Sequence, residues 1–595
     1  MHRRVLALAA SGLCACGGDE PERERQPLPS ADQVRGELEG LPFDGFLERS
    51  FEILLQRSPM SVIELGLEDR IDVGRSFLDD MSDEFARESE EVEEAILELA
   101  RAHDGDALEA EQRVGYQAYL WYLEDRARGR RFADFEYRIT PGVNSVAVNT
   151  QLFFTDVHPL TSAADADRYV RRLDAVGPQM RQVRDVMERL EQSGIVTPQI
   201  LIAWSRAGID AIARAGPRST PFYAALEARL ERLDLDEQER ADLLSRAAAA
   251  IEDSVIPGYR ELADFLAGQE ARAPEAIGVW QYEGGADYYA HALAHHVTAE
   301  VTAAELHQLG LDELDRIHGE LEQRFDALGY PDLPLADAIA RVAQEAGRVA
   351  AEEVVATYTA IIGDAQTRLA GAFDLLPSAD VVVTGVPSGG FYVGPSLDDT
   401  RPGAFFATVG DAGEDRFGMR TLAYHEAVPG HHLQIGIAHD LDLPLFQRVV
   451  TFTGFAEGWA LYAEWLAGDL GWYEGDVPGD VGRLQAEAFR AARLVVDTGI
   501  HDLGWSFEQA VDFFRDSTGH GQRFAEGQVA RYASWPGQAT AYWMGRTRIL
   551  ERRRAAEAAL GDQFDLAAFH RAVLSHGSVP LDLLDALPSL APARR

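Results

Sequence analysis

Apolar side chains recur every three or four positions along most of the chain, as at Met180, Val183, Met187 and Leu190. Steps of that size collect on one face of an α-helix, and the pattern, rich in Ala, Leu, Glu and Arg, predicts successive helices from Gly36 onward. Thr302 with Glu305 is a capping-box pair that predicts a helix start ahead of Leu306, Leu314, Ile317 and Leu321. One stretch departs from helix. Between Asp380 and Gly410 the β-branched run Val381, Val382, Val383 gives way to Gly- and Pro-rich sequence, which predicts a small sheet or extended ribbon. Helical spacing returns at Phe417. No unit of roughly 20 to 50 residues repeats, and no apolar run after Leu13 is long enough to cross a bilayer as a helix. A shift in composition near Pro274 divides the expected mainly α body into a structural half at 36–265 and a half carrying the chemistry at 266–590.

Charge narrows the partners. Fifty-five basic residues against 98 acidic ones give −43, and every cation is Arg because the chain contains no Lys. Such a surface repels phosphate backbones, which excludes nucleic acid as a partner. The acidity itself reads as solvated surface. Cysteine occurs only at Cys14 and Cys16, so a metal in the folded body must be held by His and carboxylate. Arg3 and Arg4, the apolar run Val5 to Leu13 and then Leu13-Cys14-Ala15-Cys16 predict a lipoprotein signal over residues 1–16 with Cys16 acylated, followed by a flexible linker over 17–35. The expected product is an exported lipoprotein, periplasmic or on the cell surface, held to a membrane by its lipid chains. Gly17, in place of the Asp associated with inner-membrane retention, favours the outer membrane.

Candidate chemistry centres on Tyr424-His425-Glu426-Ala427-Val428-Pro429-Gly430-His431-His432-Leu433-Gln434. In H-E-x-x-H, two His residues one helical turn apart bind Zn²⁺ while the Glu beside the first acts as general base. Here the second His is displaced by two residues. On a straight helix that places the two Cα atoms about 9 to 10.5 Å apart along the axis, too far for one ion. Pro429 donates no N–H to the preceding turn, and with Gly430 beside it the helix is expected to bulge or kink. His431 then falls where the second ligand belongs; His432 is the alternative. Glu457, within GFAEGWALYAEWLAG, is the expected third ligand, and Glu464 on the same helical face is expected to orient a ligand from behind.

HEAVPGHHLQ, EGWALYAE, YVGPSLDDTRPGAFF and YASWPGQATAYWMG together resemble the bacterial family labelled domain of unknown function 885, over about Gly36 to Leu587. More distantly, GFAEGWALYAEWL is similar to the zinc-binding segment of angiotensin-converting enzyme, and PGQATAYWMG to the closing helix of the thermostable carboxypeptidases. Those gluzincin peptidases are helical, with a deep cleft and a short sheet whose edge holds peptide. The resemblance therefore implies a zincin-like body, a substrate-pairing edge around Phe391 to Phe406, and a zinc metallopeptidase acting on short peptides as a carboxypeptidase or dipeptidase. It also implies Glu426 as general base, Tyr542 as first and Tyr532 as second choice of oxyanion donor, Arg531 for a substrate carboxylate and Gln538 for substrate backbone.

Other readings stand beside this one. A non-catalytic peptide-binding lipoprotein, or a zinc amidase or esterase acting on a small non-peptide molecule, would need the same pocket. His291 and His295, four apart with no acidic residue between them, read as an ordinary surface or hydrogen-bonded pair; Asp287, Tyr288 and Tyr289 fit either a cleft wall or aromatic packing. No G-x-S-x-G is present, so a serine hydrolase has no support.

Overall fold

The computed structural model describes residues 27–73, 77–142, 144–387, 389–398 and 400–587. Cys14, Cys16 and the predicted signal lie outside them. Helices make up nearly all the regular structure, as the periodicity predicts. The helix Ala163–Gln192 buries Met180, Val183, Met187 and Leu190 in one apolar cluster, so that stripe is core. Thr302 Oγ1 accepts from the Glu305 backbone N–H while Glu305 Oε2 accepts from that of Thr302. This box opens α1 (Ala303–Leu328), which buries Leu306, Leu314, Ile317 and Leu321. No helix among the described residues is long and apolar enough to cross a membrane.

Three apolar clusters hold the body together. One joins Phe46, Phe51 and Tyr119 to Phe405, Tyr424 and Trp459, so helices from both sides of residue 265 share a core. Another lies between Ile63 and Leu266. The remaining one gathers Phe132, Tyr289, Leu321, Leu494 and Trp543 around the site described below.

Two small sheets interrupt the helices. β1 (Arg348–Val349) pairs antiparallel with β5 (Glu414–Asp415). β2 (Val381–Val386), β3 (Phe391–Val393) and β4 (Gly403–Thr408) form a second sheet in the order β2-β4-β3, with β4 parallel to β2 and antiparallel to β3. The expected pairing edge thus divides: Phe391–Val393 is an edge strand, whereas Phe406 lies in the central strand, bonded on both sides. Beside this sheet, against Met60–Asp69 and Val146–Arg168, lies a cavity of about 1240 Å³.

Six further helices build the site: α2 (Arg416–Glu426), α3 (His431–Asp440), α4 (Thr453–Asp469), α5 (Val477–His501), α6 (Gln522–Ser534) and α7 (Ala541–Leu560). α4 and α7 cross at glycines. A methyl group on Gly545 would lie 1.8 Å from the Gly454 carbonyl oxygen, and one on Gly458 would lie 2.3 Å from Gly545 Cα. Behind this crossing Glu487 of α5 ties three helices. Its Oε1 accepts from Arg316 of α1 at 2.5 Å and Arg546 of α7 at 2.7 Å, and its Oε2 from Arg483 at 3.2 Å. Burial works against the charge, but the guanidiniums of Arg546, Arg316 and Arg483 win and hold its carboxyl down at about 2.

Gly545→Ala should destabilise the protein. Replacing a helical Gly favours folding by about 1 kcal/mol, but the overpacking of two backbones costs roughly 1–3 kcal/mol, so the urea midpoint should fall. Glu487→Gln should cost about 3 kcal/mol near neutral pH, because three guanidiniums lose their common carboxylate. Since the folded carboxyl sits near 2 against an ordinary value of 4.5, the wild type holds this stability above about pH 4.5 and loses it toward pH 2. Denaturation curves across that window should show the stability gap between wild type and variant closing as acid is added.

Candidate metal centre

α2 stops at Glu426 and α3 starts at His431, so the motif occupies two helices rather than one bulged helix. The break is local chemistry. Val428–Pro429 is a cis peptide bond, and a side chain on Gly430 would put its Cβ 1.9 Å from the His425 carbonyl oxygen and 2.4 Å from that of Tyr424. Only glycine lets the chain fold back onto the end of α2. Trp459 of α4 fixes the turn by donating its Nε1–H to the Pro429 carbonyl at 2.9 Å.

The fold-back brings the imidazoles together. His425 and His431 meet edge to face with ring centroids 4.8 Å apart. His431 Nε2 lies 3.3 Å and His425 Nε2 3.6 Å from Glu457 Oε2. One ligand atom from each of the three residues falls within 4.8 Å of the others, the one such group among the described residues. Donors placed tetrahedrally about 2 Å from a common ion stand about 3.3 Å apart, so His₂Glu fits zinc with little adjustment. Glu457 Oε2 is buried and has no hydrogen-bond partner, an expensive state for a carboxylate oxygen unless a cation meets it.

Charge in the pocket points the same way. Burial alone would lower the His425 imidazole, but the carboxylates of Glu457, Glu464 and Glu426 overcome it and raise it to about 10. Burial raises Glu457, yet His425 and His431 outweigh it and hold that carboxyl well below the carboxylate range. Glu464 Oε1 stands 2.8 Å from His425 Nδ1 and 2.9 Å from Arg490 Nη2. Glu464 therefore backs the first ligand from behind, and Arg490 balances its charge. Burial pushes the Glu426 carboxyl up, partly offset by His425 and His431, which makes it a better proton acceptor than a solvated carboxylate.

His432 is placed elsewhere. Its Nδ1 is 2.9 Å from the Tyr392 hydroxyl of β3 and its Nε2 is 3.1 Å from the Ala379 carbonyl oxygen, so both nitrogens are committed to β3 and the residues leading into β2. Burial lowers it to about 4 and keeps it neutral. This corrects the alternative assignment: successive residues at the start of a helix point about 100° apart, and only His431 faces α4. Tyr392 also lines the large cavity, although none of the three ligands does.

Tyr542, the second residue of α7, stacks on His425 at 6.3 Å with the rings 14° from parallel. Its hydroxyl accepts from Arg531 Nη2 at 3.0 Å, and the same nitrogen donates to Gln538 Oε1 at 3.0 Å. Arg531, Gln538 and Tyr542 thus form one bonded group beside the ligands. Tyr532 is not part of it. Its hydroxyl accepts from Arg493 Nε at 3.1 Å and donates to Gln528 Oε1 at 3.1 Å, so this second choice of oxyanion donor has its hydroxyl committed inside the core.

Several residues of the site went unread in the sequence: Arg490, Arg493 and Asp497, all on α5. Their signal was there, because Glu487, Arg490, Arg493 and Asp497 stand three, three and four apart on a helix otherwise rich in Ala, Leu and Val. His291 and His295 make no metal group. His295 Nδ1 lies 2.5 Å from Asp125 Oδ2, and His291 stacks on Phe132. Tyr288 stacks on Phe135, whereas Tyr289 donates its hydroxyl to Asp497.

His431→Ala should abolish stoichiometric zinc uptake, whereas His432→Ala should retain it and lose thermal stability instead. Zinc analysis after dialysis, paired with a melting curve for each variant, checks both.

Two solved structures share this architecture. "The crystal structure of the putative lipoprotein from Colwellia psychrerythraea" matches with a TM-score of 0.87 at 27% identity, over 94% of this chain and 98% of that one. A lipoprotein structure from Shewanella oneidensis, described as "putative" and "of unknown function", matches with a TM-score of 0.67 at 18% identity, over 93% and 98% of the two chains. Comparison with curated proteins finds no match. The model of a family described as "Bacterial protein of unknown function (DUF885)" matches residues 59–587, and the chain belongs to that family.

Proposed function

We propose that the protein is a zinc-dependent metallopeptidase acting on short peptides, exported and tethered through Cys16. The convergence of His425 Nε2, His431 Nε2 and Glu457 Oε2 on one point beside Glu426 carries this reading. The chemistry supplied by zinc in such a site is Lewis acidity toward a carbonyl oxygen and toward water. Everything else falls to the chain. Glu426 accepts the proton of the attacking water and delivers it to the departing amine, and its burial-raised carboxyl suits both transfers. Tyr542 already accepts from Arg531, so its own O–H is free to donate to the carbonyl oxygen as negative charge develops there. Gln538 Oε1 is engaged by Arg531 and its Nε2 donates to the Tyr542 hydroxyl at 3.5 Å, a long bond that substrate backbone would displace. Glu464, held by Arg490, keeps His425 turned toward the ligand point.

The export reading is supported by Cys16 in its lipoprotein-type context and by the Colwellia relative described as a lipoprotein. Two or more acyl chains would hold the protein at a membrane.

Glu426→Gln should keep the zinc and lower peptide hydrolysis by about 10²–10⁴-fold, the range expected on losing a positioned acid–base group. Zinc content and turnover of a mixed peptide library, compared for wild type and variant, test it. A zinc-loaded wild type that cleaves no peptide would overturn the peptidase reading in favour of peptide binding without catalysis, or of amide or ester hydrolysis on a smaller molecule.

A further inference from the structure

α5 is packed on nearly every side, and from Ala491 to Val496 its Ala, Leu and Val side chains are fully buried. Two charges interrupt that core. Arg493 is 4% exposed and Asp497 is 0% exposed. They stand one helical turn apart, the spacing at which Arg and Asp ordinarily pair, yet no ion pair joins them among the described residues. Arg493 reaches residues of α6 and α7 themselves, and Asp497 the turn that links those helices. The Arg493 guanidinium lies over two rings, 4.1 Å from the Phe489 centroid and 4.3 Å from that of Tyr542, and its Nε donates to the Tyr532 hydroxyl. Asp497 accepts from the Gly537 N–H at 3.0 and 3.2 Å and from the Tyr289 hydroxyl at 2.7 Å.

Gly537 is the hinge of that segment. Its φ is +81°, and a Cβ there would lie 2.9 Å from the Ala292 carbonyl group, so the turn accepts only glycine. The residue after it is Gln538, and Tyr542 follows within a turn. A buried ionisable group with no ion-pair partner is expensive for a core to hold, and burial pushes the Asp497 carboxyl up to about 7. Apolar residues of similar volume would stabilise this helix more, so both charges are best explained by what they hold in place.

We infer that Arg493 and Asp497 are positioning residues that preset the Tyr542 phenol against the metal site, Arg493 through the ring and Asp497 through the Gly537 turn. The inference rests on the peptidase reading for its effect on rate, but not for its effect on structure. Tyr542 is then clamped from two directions, with His425 on one side of its ring and Arg493 stacked on it as well, while Arg531 fixes the hydroxyl. A reacting group displaced by about 1 Å can lose on the order of 10²-fold in rate.

Arg493→Lys keeps the charge but loses the planar stack, and Arg493→Met loses both. Both should retain one zinc per chain and leave KM within about twofold, while kcat falls about 10–100-fold for Met and less for Lys. In a Tyr542→Phe background the same substitutions should change kcat by less than about twofold, because the hydroxyl they position is gone. Equal losses in both backgrounds would overturn the inference. Hydrogen exchange gives a second readout that needs no activity. Asp497→Asn and Arg493→Lys should speed exchange over residues 535–542 by about tenfold or more, with residues 416–440 unchanged. Unchanged exchange over 535–542 would overturn the inference, and a wild type inactive on all peptides would overturn the peptidase reading while this result still decides the clamp.

Discussion

The site depends on the contact between Gly430 and the carbonyl end of α2. Two imidazoles separated by five intervening residues cannot reach one ion on a continuous helix, because the rise carries them apart. Ending the helix at Glu426 and folding the chain back over it removes that distance. The fold-back needs a residue with no side chain at 430, since any Cβ would run into the His425 carbonyl, and it needs an anchor, which Trp459 provides through the Pro429 carbonyl. The anchor comes from α4, the helix that also brings Glu457. The turn that presents the second His and the helix that presents the third ligand are therefore fixed to each other directly.

A second backbone contact sets the other wall. Gly454 and Gly458 of α4 press against Gly545 of α7, and such a crossing leaves little freedom in the spacing of the two helices. Glu457 lies between the two α4 glycines and Tyr542 three residues before the α7 glycine, so the same crossing sets how far the phenol stands from the ligands. Glu487 reinforces this from behind by joining α5, α7 and α1 through three guanidiniums. Three elements far apart in sequence are thus placed by two glycine contacts and one shared carboxylate.

Much of this was legible in the sequence, and the parts that were not fail for identifiable reasons. The helical stripes and the Thr302 cap could be read because periodicity and capping are local properties. The sheet between Asp380 and Gly410 could be read because β-branched and turn residues cluster there. His431 and His432 could not be separated by spacing alone, because the answer depends on the hand and depth of one turn and on Tyr392 and the Ala379 carbonyl waiting on the far side. Tyr532 stood behind Tyr542 on resemblance alone, since both are Tyr and only ten residues apart. The difference lies in Arg493, whose guanidinium occupies the Tyr532 hydroxyl and stacks on the Tyr542 ring. The roles on α5 stayed hidden because a charged residue on a helix reads as solvent-facing until the packing shows that no solvent face exists there.

Three carboxylates, those of Glu426, Glu457 and Glu464, surround His425, and each is a source of its raised affinity for a proton. Arg490 compensates Glu464 directly, and Arg531 lies close enough for the Glu457 charge to raise its guanidinium further. Those two guanidiniums answer two of the three carboxylates, and the remaining charge is answered by the proton that His425 holds. Around Glu487, by contrast, three arginines converge on one carboxylate. At the point where two imidazole nitrogens and the Glu457 oxygen meet, a cation that displaced the His425 proton would gain from the surrounding carboxylates as well as from the donors. His432, one residue along, is driven to the neutral form by burial despite Asp380 and Asp440 nearby, and its nitrogens are taken up by Tyr392 and the Ala379 carbonyl, so it is geometry that leaves His431 facing Glu457.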